Sequence, residues 1–242
     1  VHFGIISGAA MFTAQFWGKR DIPNLRRTLG LCLLIAMSAS MIFLALSQFF
    51  PVQILQIYTK DPAVISAGTN YLRIFAWAFV FYAITFSYAF VMRSTGNVKA
   101  PTIINVSALT LSTFLSYGLI FGKFGLPEMG IDGVAISTLI ARGLECVALL
   151  LVVYWQKGSP AAATLRELFS VNLPFLKKVI PPMLPVILNE LLWSLGITTY
   201  NAIYGNMGTS SIAAMNIMST MEQVGLVIFV GISTSTSVLV GN

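Results

Sequence analysis

The sequence predicts an all-α membrane protein, a polytopic bundle of transmembrane helices. Of its 242 residues, 57% are hydrophobic and only 9% are charged, and the mean hydropathy is +0.84. A soluble domain carries roughly 25% charged residues, so eight acids and fourteen bases cannot keep this much apolar surface in water. The apolar stretches are also too long and too uniform for the alternating ten-residue segments of a β-barrel. A cytosolic globular protein is therefore excluded.

Six stretches are long enough to cross a bilayer as helices, the structure that satisfies every backbone group in lipid. We predict spans at Thr28–Phe50, Asn70–Met92, Pro101–Gly122, Gly133–Trp155, Ile180–Tyr204 and Thr209 to about Val238. Residues Val1–Trp17 are predicted to be the remainder of a seventh span. Because the chain opens and closes inside apolar runs, we expect an internal piece of a longer membrane protein.

The distribution of lysine and arginine predicts the orientation of these spans. The first, third and fifth connections hold ten bases, whereas the intervening connections hold two, Lys60 and Lys123. Bases are enriched in cytoplasmic connections, so we expect the first, third and fifth connections in the cytoplasm. We therefore attribute the net charge of +6 to bases in the cytoplasmic connections. A nucleic-acid partner would require a basic run interleaved with aromatic residues, and the sequence has none.

The predicted organisation has three parts. Residues 1–156 form the first-lobe helices, a truncated span plus four more; residues 157–179 form a cytoplasmic interlobe linker; residues 180–242 form the first two helices of a second lobe. In the linker, Leu165, Leu168 and Phe169 make an apolar stripe. This stripe predicts either a short amphipathic helix on the inner leaflet, with Arg166 at the headgroups, or a solvated loop.

A short internal match suggests a repeat. Residues 4–7 (GIIS) and 231–234 (GIST) align at an offset of 227 residues, which also places Gln15 on Asn242. The match is either chance or the sign of two parallel repeats in a protein about twice as long, related by an axis along the membrane normal.

Four ionisable side chains interrupt the predicted spans, and such groups are functional-site hypotheses in a membrane protein. Arg142 and Glu145 are three residues apart on one helix, so we expect a structural ion pair. Glu190 has no base within helical reach. An unpaired carboxylate at membrane depth either holds a proton or binds a cation, so Glu190 is the predicted cation-coupling residue. A protonated Glu190 hydrogen-bonded to a neighbouring helix is the alternative.

Further polar residues could bind a cation or line a cavity. Ser194 and Asn201 continue the helix face of Glu190 and offer neutral oxygen ligands. The last span carries a polar stripe at helical spacing, which either faces a cavity or packs helix to helix. This stripe consists of Asn216, Ser219, Thr220 and Gln223. Glu222, one position off the stripe, is a second titrating group or a hydrogen-bond partner of Ser219.

Motifs for catalysis and cofactor binding are absent from the sequence. It has no P-loop motif, no HExxH motif and no Cys/His cluster. Cys32 and Cys146 lie in apolar stretches, where a thiol behaves as a small hydrophobe, and the single histidine, His2, is read as incidental. We therefore predict a protein that is not an enzyme, with no catalytic residue, no metal site and no cofactor.

Four sets of motifs resemble the multidrug and toxic compound extrusion (MATE) family. They are residues 14–18 (AQFWG) with Asp21, residues 93–101 (RSTGNVKAP), residues 125–138 (GLPEMGIDGVAIST), and residues 189–196 (NELLWSLG) with 205–208 (GNMG). The resemblance covers the whole chain, and its order matches the second to eighth helices of a twelve-helix transporter.

The resemblance implies an antiporter of two six-helix lobes that exchanges Na⁺ or H⁺ for amphipathic, often cationic, drugs by alternating access. It implies a multi-pass protein of the inner or plasma membrane, monomeric at full length, with drugs and the bilayer as partners and no nucleic acid. Glu190 is similar to the acidic residue in the seventh helix of the Na⁺-coupled branch. The acid that some members carry in the fifth helix is not evident, and Ser107, Ser112 and Ser116 are the polar groups there.

Two other functions remain open from the sequence. A lipid or lipid-linked oligosaccharide flippase of the same superfamily would favour several bases along its central cavity to hold phosphate. Among the four ionisable side chains named above, Arg142 is the only base. A non-transporting membrane scaffold would not need Glu190 to be unpaired.

Overall fold

The computed structural model describes Ala9 and residues 12–156 and 158–241, and within these ranges it is all-α, with no β-strand. The helices are α1 at 12–18, α2 at Ile22–Phe49, α3 at Pro51–Gln56, α4 at Pro62–Ser94, α5 at Lys99–Phe121, α6 at Gly130–Trp155, α7 at Leu165–Leu168, α8 at Leu173–Asn206 and α9 at Thr209–Gly241. Six are long and apolar enough to cross a membrane: α2, α4, α5, α6, α8 and, in α9, Ser211–Ser233. The predicted polytopic all-α fold is confirmed.

Several helices begin earlier than the hydrophobic runs predicted, because polar residues outside those runs cap them. The Asp21 side chain accepts a hydrogen bond from the backbone N–H of Asn24, at 3.2 Å, ahead of α2. Asp61 and Asn172 cap α4 and α8 in the same way, and all three helices have a proline in their first two positions. Such caps satisfy backbone donors that lack an intrahelical partner, and proline is tolerated there. The helices therefore start at the caps rather than at the first apolar residue.

The first four bilayer-length helices, α2, α4, α5 and α6, form one packed unit. Helix α6 packs against both α4 and α5, and α4 packs against α2. Small residues allow the close approach that helix pairs use in lipid: a Cβ at Gly133 of α6 would lie 2.7 Å from Cβ of Leu119 on α5. The core beside α2 includes the fully buried side chains of Leu25, Leu29 and Val153.

Side-chain hydrogen bonds bring the basic connections together at one end of the bundle. Arg26, after the first connection, donates from Nε to the carbonyl of Pro160 at 3.3 Å. Asn97 of the third connection donates to Oε1 of Gln156, where the fifth begins, at 3.0 Å. The first, third and fifth connections therefore lie at the same end of the bundle, as the predicted alternation requires. The assignment of this end to the cytoplasm stays a prediction.

Arg73 was missed in the count of bases, although it lies within the predicted span Asn70–Met92. It belongs to α4, whose 33 residues extend over about 50 Å, well beyond the roughly 30 Å of a bilayer core. Its side chain is exposed, and its carbonyl accepts a hydrogen bond from Gln48 Nε2 at 2.8 Å. Arg73 is therefore a base near the end of the bundle opposite the basic connections.

The linker contains a short docked helix, so the solvated-loop alternative is wrong. Thr164 and Glu167 form a capping box at the start of α7, with the Thr164 backbone N–H donating to Glu167 Oε2 at 2.7 Å. Leu168 is 5% exposed and packs on α2, where a Cβ at Gly30 would lie 1.9 Å from the Leu168 carbonyl oxygen. Leu165 is exposed, as is Phe169. Helix α7 is therefore held by α2 through one leucine rather than by an apolar face on the leaflet.

Helices α8 and α9 have few buried residues. In α8 the buried side chains, Phe175, Val179 and Met183, all lie in its first eleven residues, and the described residues of α9 include no buried one. At the far end of α8, Asn206 Nδ2 donates to the carbonyl of Ile57 at 3.5 Å. Four predicted features lie outside the described residues: the repeat motif at residues 4–7, Asn242 of the second copy of that motif, the first part of Val1–Trp17 with His2, and Lys157.

Candidate functional site

A charged network lies between α4, α5 and α6. Arg142 NH1 is 2.6 Å from Glu145 Oε2, and Asn105 Nδ2 donates to Glu145 Oε1 at 2.8 Å. The Arg142 guanidinium lies 5.4 Å from the ring centroid of Tyr82, a distance at which a cation is attracted to the ring face. Each of the three helices thus contributes to one buried polar cluster, which we call the first-lobe network.

The geometry of the first-lobe network follows from helix periodicity. Arg142 and Glu145 are neighbours on one face of α6 because they are three residues apart. Glu145 is only 4% exposed, so its carboxylate depends on these partners in place of water. Sequence reasoning missed Asn105 and Tyr82, which lie on other helices. The signal for Asn105 was an amide in the middle of the apolar segment Pro101–Gly122.

A cavity of about 290 Å³ opens beside the first-lobe network. Its lining combines the network with the second arginine, Arg93, and with apolar side chains of all three helices. The residues that border the cavity include Tyr82, Phe86, Arg93, Ile104, Arg142 and Glu145. Arg93 is half-buried and makes no hydrogen bond or ion pair within the described ranges.

Glu190, the predicted coupling residue, lies in the middle of α8 and is half-buried. No hydrogen bond or ion pair joins it to any residue that the structure describes. Ser194 lies one turn further along α8 and is also half-buried, whereas Asn201 is exposed. The structure therefore leaves Glu190 unpaired on a helix face that the described chain does not cover, and its coupling role stays a prediction.

The polar stripe of α9 faces outward. Asn216, Thr220 and Gln223 are exposed and Ser219 is half-buried. The hydroxyls of Ser219 and Thr220 donate to the carbonyl of Asn216, at 3.1 and 2.7 Å. Glu222 is exposed and, within the described part of the chain, does not accept from Ser219. The role of the stripe in lining a cavity stays a prediction.

Other predicted polar sites behave as ordinary intramembrane groups. Of the three α5 serines, Ser116 shares a hydrogen bond of 2.5 Å with Ser137 of α6. Cys32 and Cys146 are free and buried. Over the residues that the structure describes, no group of three His, Cys, Asp or Glu side chains could hold a metal ion.

The six bilayer-length helices, with charged groups held among them, define an α-helical multi-pass membrane protein. The MatE family model matches residues 1–118 of the chain. The chain is 26% identical, over 97% of its length, to the probable multidrug resistance protein YoeA of Bacillus subtilis. It is also 26% identical, over 99% of its length, to the probable multidrug resistance protein NorM of Bradyrhizobium diazoefficiens. The predicted resemblance to multidrug and toxic compound extrusion transporters is therefore confirmed.

Two solved structures share the fold. One is an inward-facing multidrug resistance MATE family transporter of the MOP superfamily, with a TM-score of 0.71 and 17% identity over 84% of this chain and 45% of that one. The other is a MOP superfamily transporter from Pyrococcus furiosus, with a TM-score of 0.76 and 20% identity over 98% of this chain and 52% of that one. It is described as having a binding pocket of reversed polarity that suggests a different function.

The chain spans about half the length of the curated relatives it matches, 52% of the Bacillus protein and 51% of the Bradyrhizobium protein. The division of the chain at 157–179 into parts of two lobes stays a prediction.

Proposed function

We propose that the whole protein exports amphipathic drugs, cationic ones included, across the cell membrane in exchange for Na⁺ or H⁺. The similarity over nearly the whole chain to proteins named as multidrug resistance proteins supports drug export. The same similarity supports a transporter rather than an enzyme. Alternating access, in which two lobes open the substrate site to each side in turn, is part of this proposal.

The observation that carries the coupling proposal is Glu190. It lies mid-helix in a bilayer-length segment, it is half-buried, and it has no partner among the described residues. A carboxylate left unpaired at membrane depth is costly unless it takes up a proton or a cation. Because drug and ion would compete for this negative charge, binding of one would release the other, which is the requirement for antiport.

Glu145 is a poor alternative for coupling. Its two carboxylate oxygens already bind Arg142 and Asn105, so a proton or Na⁺ would have to displace an internal cation. The acid of α6 is therefore occupied, whereas the acid of α8 is free to bind. This difference favours Glu190 as the ion site and leaves Ser194 and Asn201 as candidate neutral ligands.

The two other candidate functions make different demands. A scaffold without transport activity gives no reason for an unpaired intramembrane carboxylate. A lipid or lipid-linked oligosaccharide flippase would favour several bases along its substrate path. Of the two bases that line the cavity between α4, α5 and α6, Arg142 is neutralised by Glu145, and over their described parts α8 and α9 carry bases only at Lys177 and Lys178. We therefore favour the drug antiporter.

Efflux of a fluorescent cationic dye from energised cells that express the whole protein tests the proposal. We expect efflux to stop when the Na⁺ and H⁺ gradients are both collapsed, and to persist when one suitable gradient is restored. Efflux that survives the loss of both gradients would refute ion coupling, and no efflux of any dye would refute drug export.

A further inference from the structure

We propose that the cavity between α4, α5 and α6 is a binding site for an amphipathic anion, with the anionic group held by Arg93 and the apolar part inside the cavity. This site is distinct from Glu190 and goes beyond the proposed function, because anion binding there requires neither ion coupling nor drug export.

The charges around the cavity do not balance. Its lining holds two guanidinium groups, Arg93 and Arg142, and one carboxylate, Glu145. The carboxylate is neutralised by Arg142 at 2.6 Å, so the charge of Arg93 remains uncompensated within the described residues. A half-buried charge without a partner favours a ligand of the opposite sign. The cavity should therefore attract an anion and repel a cation.

Helix-end dipoles do not change this balance. Arg93 lies in the last turn of α4, where partial negative charge accumulates, and Pro101 in the first turn of α5 also borders the cavity. The N-terminus of α5 contributes partial positive charge of similar size. The two helix ends meet at the same mouth and offset each other, so the side chains set the sign of the site.

The positions of Arg93 and Tyr82 along α4 determine how a ligand would be oriented in the cavity. Arg93 is eleven residues from Tyr82 on α4, which is about 16 Å along a helix axis, so Arg93 lies at the mouth and Tyr82 lies in the interior. Between them the lining includes apolar and aromatic side chains, with Phe86, Ala89 and Ile104 among its members. A polar head at Arg93 and an apolar body along the cavity fit this order.

Octyl phosphate and octyltrimethylammonium test the proposal, because they share one apolar tail and differ in the charge of the head. We would measure binding by titration calorimetry on the whole protein in nanodiscs of phosphatidylcholine, with empty nanodiscs as the blank. Octyl phosphate should bind saturably, with one molecule per protein. Octyltrimethylammonium should bind at least about tenfold more weakly, the size expected when a charged hydrogen bond is lost.

Three variants locate the site. Arg93→Gln should weaken octyl phosphate binding by about tenfold or more, whereas Arg93→Lys should retain most of it because the charge is kept. Arg73→Gln is the matched control: it removes a base from the same helix but outside the cavity, and it should change nothing. If Arg93→Gln fails to fold, the comparison of the two heads on the wild type still decides.

Equal affinity for octyl phosphate and octyltrimethylammonium, or unchanged octyl phosphate binding in Arg93→Gln, would overturn the proposal. The cavity would then bind apolar tails without distinguishing the charge of the head group. Nanodiscs that contain phosphatidylglycerol distinguish the source of the anion. Reduced apparent affinity for octyl phosphate there would support a membrane lipid headgroup as the occupant, and unchanged affinity would support a soluble amphipathic anion.

Discussion

Two intramembrane glutamates, Glu145 of the predicted first lobe and Glu190 of the predicted second lobe, are placed in opposite ways. Glu145 of α6 is buried and bound by two side chains from two helices, whereas Glu190 of α8 is half-buried and has no partner in the described chain. The same contrast holds for the helices as a whole, since α2 to α6 pack on one another and α8 and α9 are largely exposed. An acid that is already satisfied stabilises a fold, and an acid that is not is available to bind.

Removing Glu145 should have the largest effect on stability. Glu145→Ala removes a buried carboxylate and leaves a half-buried guanidinium and an amide without their acceptor, and breaking a buried pair costs about 3–5 kcal/mol. Glu190→Ala should cost under about 1 kcal/mol, because no partner is lost. Thermal unfolding in detergent, followed with a thiol-reactive dye, measures both, since Cys32 and Cys146 are buried until the protein unfolds. Equal melting temperatures for the two variants would contradict the contrast.

Two glycine substitutions, one in each of the compared regions, should show the next largest difference in stability. Gly30→Ala places a methyl group 1.9 Å from the Leu168 carbonyl oxygen, so α7 has to move away from α2, and we expect a loss of about 1–3 kcal/mol. Gly225→Ala on α9 meets no heavy atom within 4 Å. It should be neutral or stabilise α9 by up to about 1 kcal/mol, the difference in helix propensity. The same dye assay measures both, and a stable Gly30→Ala protein would show that α7 is not docked as described.

The linker ion pair should have the smallest effect. Arg26 NH1 lies 2.6 Å from Glu167 Oε1, and the pair is partly exposed, so Glu167→Gln should cost under about 1 kcal/mol. The Thr164 backbone N–H and the Arg26 guanidinium lower the pKa of Glu167 below its usual value. This contribution is therefore complete above the unfolded pKa, about 4.3, and is lost as the pH falls through the lower folded pKa.

The pH dependence of the melting temperature checks the linker prediction. The difference between wild type and Glu167→Gln should be present at pH 7 and should shrink only as the medium becomes acidic enough to protonate Glu167 in the folded protein. A difference that grows on acidification would have the opposite sign and would contradict it. Arg26→Gln should be at least as destabilising as Glu167→Gln, because it removes the same pair and also the hydrogen bond from Arg26 Nε to the Pro160 carbonyl.

The sequence predicted the spans and the Arg142–Glu145 spacing because those features repeat along one helix. It did not predict that Asn105 and Tyr82 complete the network, since those contacts depend on how α4 and α5 pack against α6. Arg73 could have been found from the sequence, because it lies inside the predicted span Asn70–Met92; only the start of α4 at its Asp61 cap came from the structure. The docking of Leu168 on Gly30 likewise depends on contact between distant segments.

The central claim is that Glu190 is the ion-coupling acid, and Glu190→Gln on the whole protein tests it most directly. Glutamine keeps the volume and hydrogen bonding of glutamate and removes only the ionisable oxygens, so the fold should survive. Glu128→Gln is the control, because Glu128 is an exposed carboxylate in the connection between α5 and α6.

Dye efflux and its dependence on Na⁺ and H⁺ would be measured at expression equal to wild type. We predict that Glu190→Gln abolishes ion-driven efflux at an unchanged melting temperature, and that Glu128→Gln behaves as wild type. Wild-type efflux with unchanged ion dependence in Glu190→Gln would contradict the account and make Glu222 the next candidate.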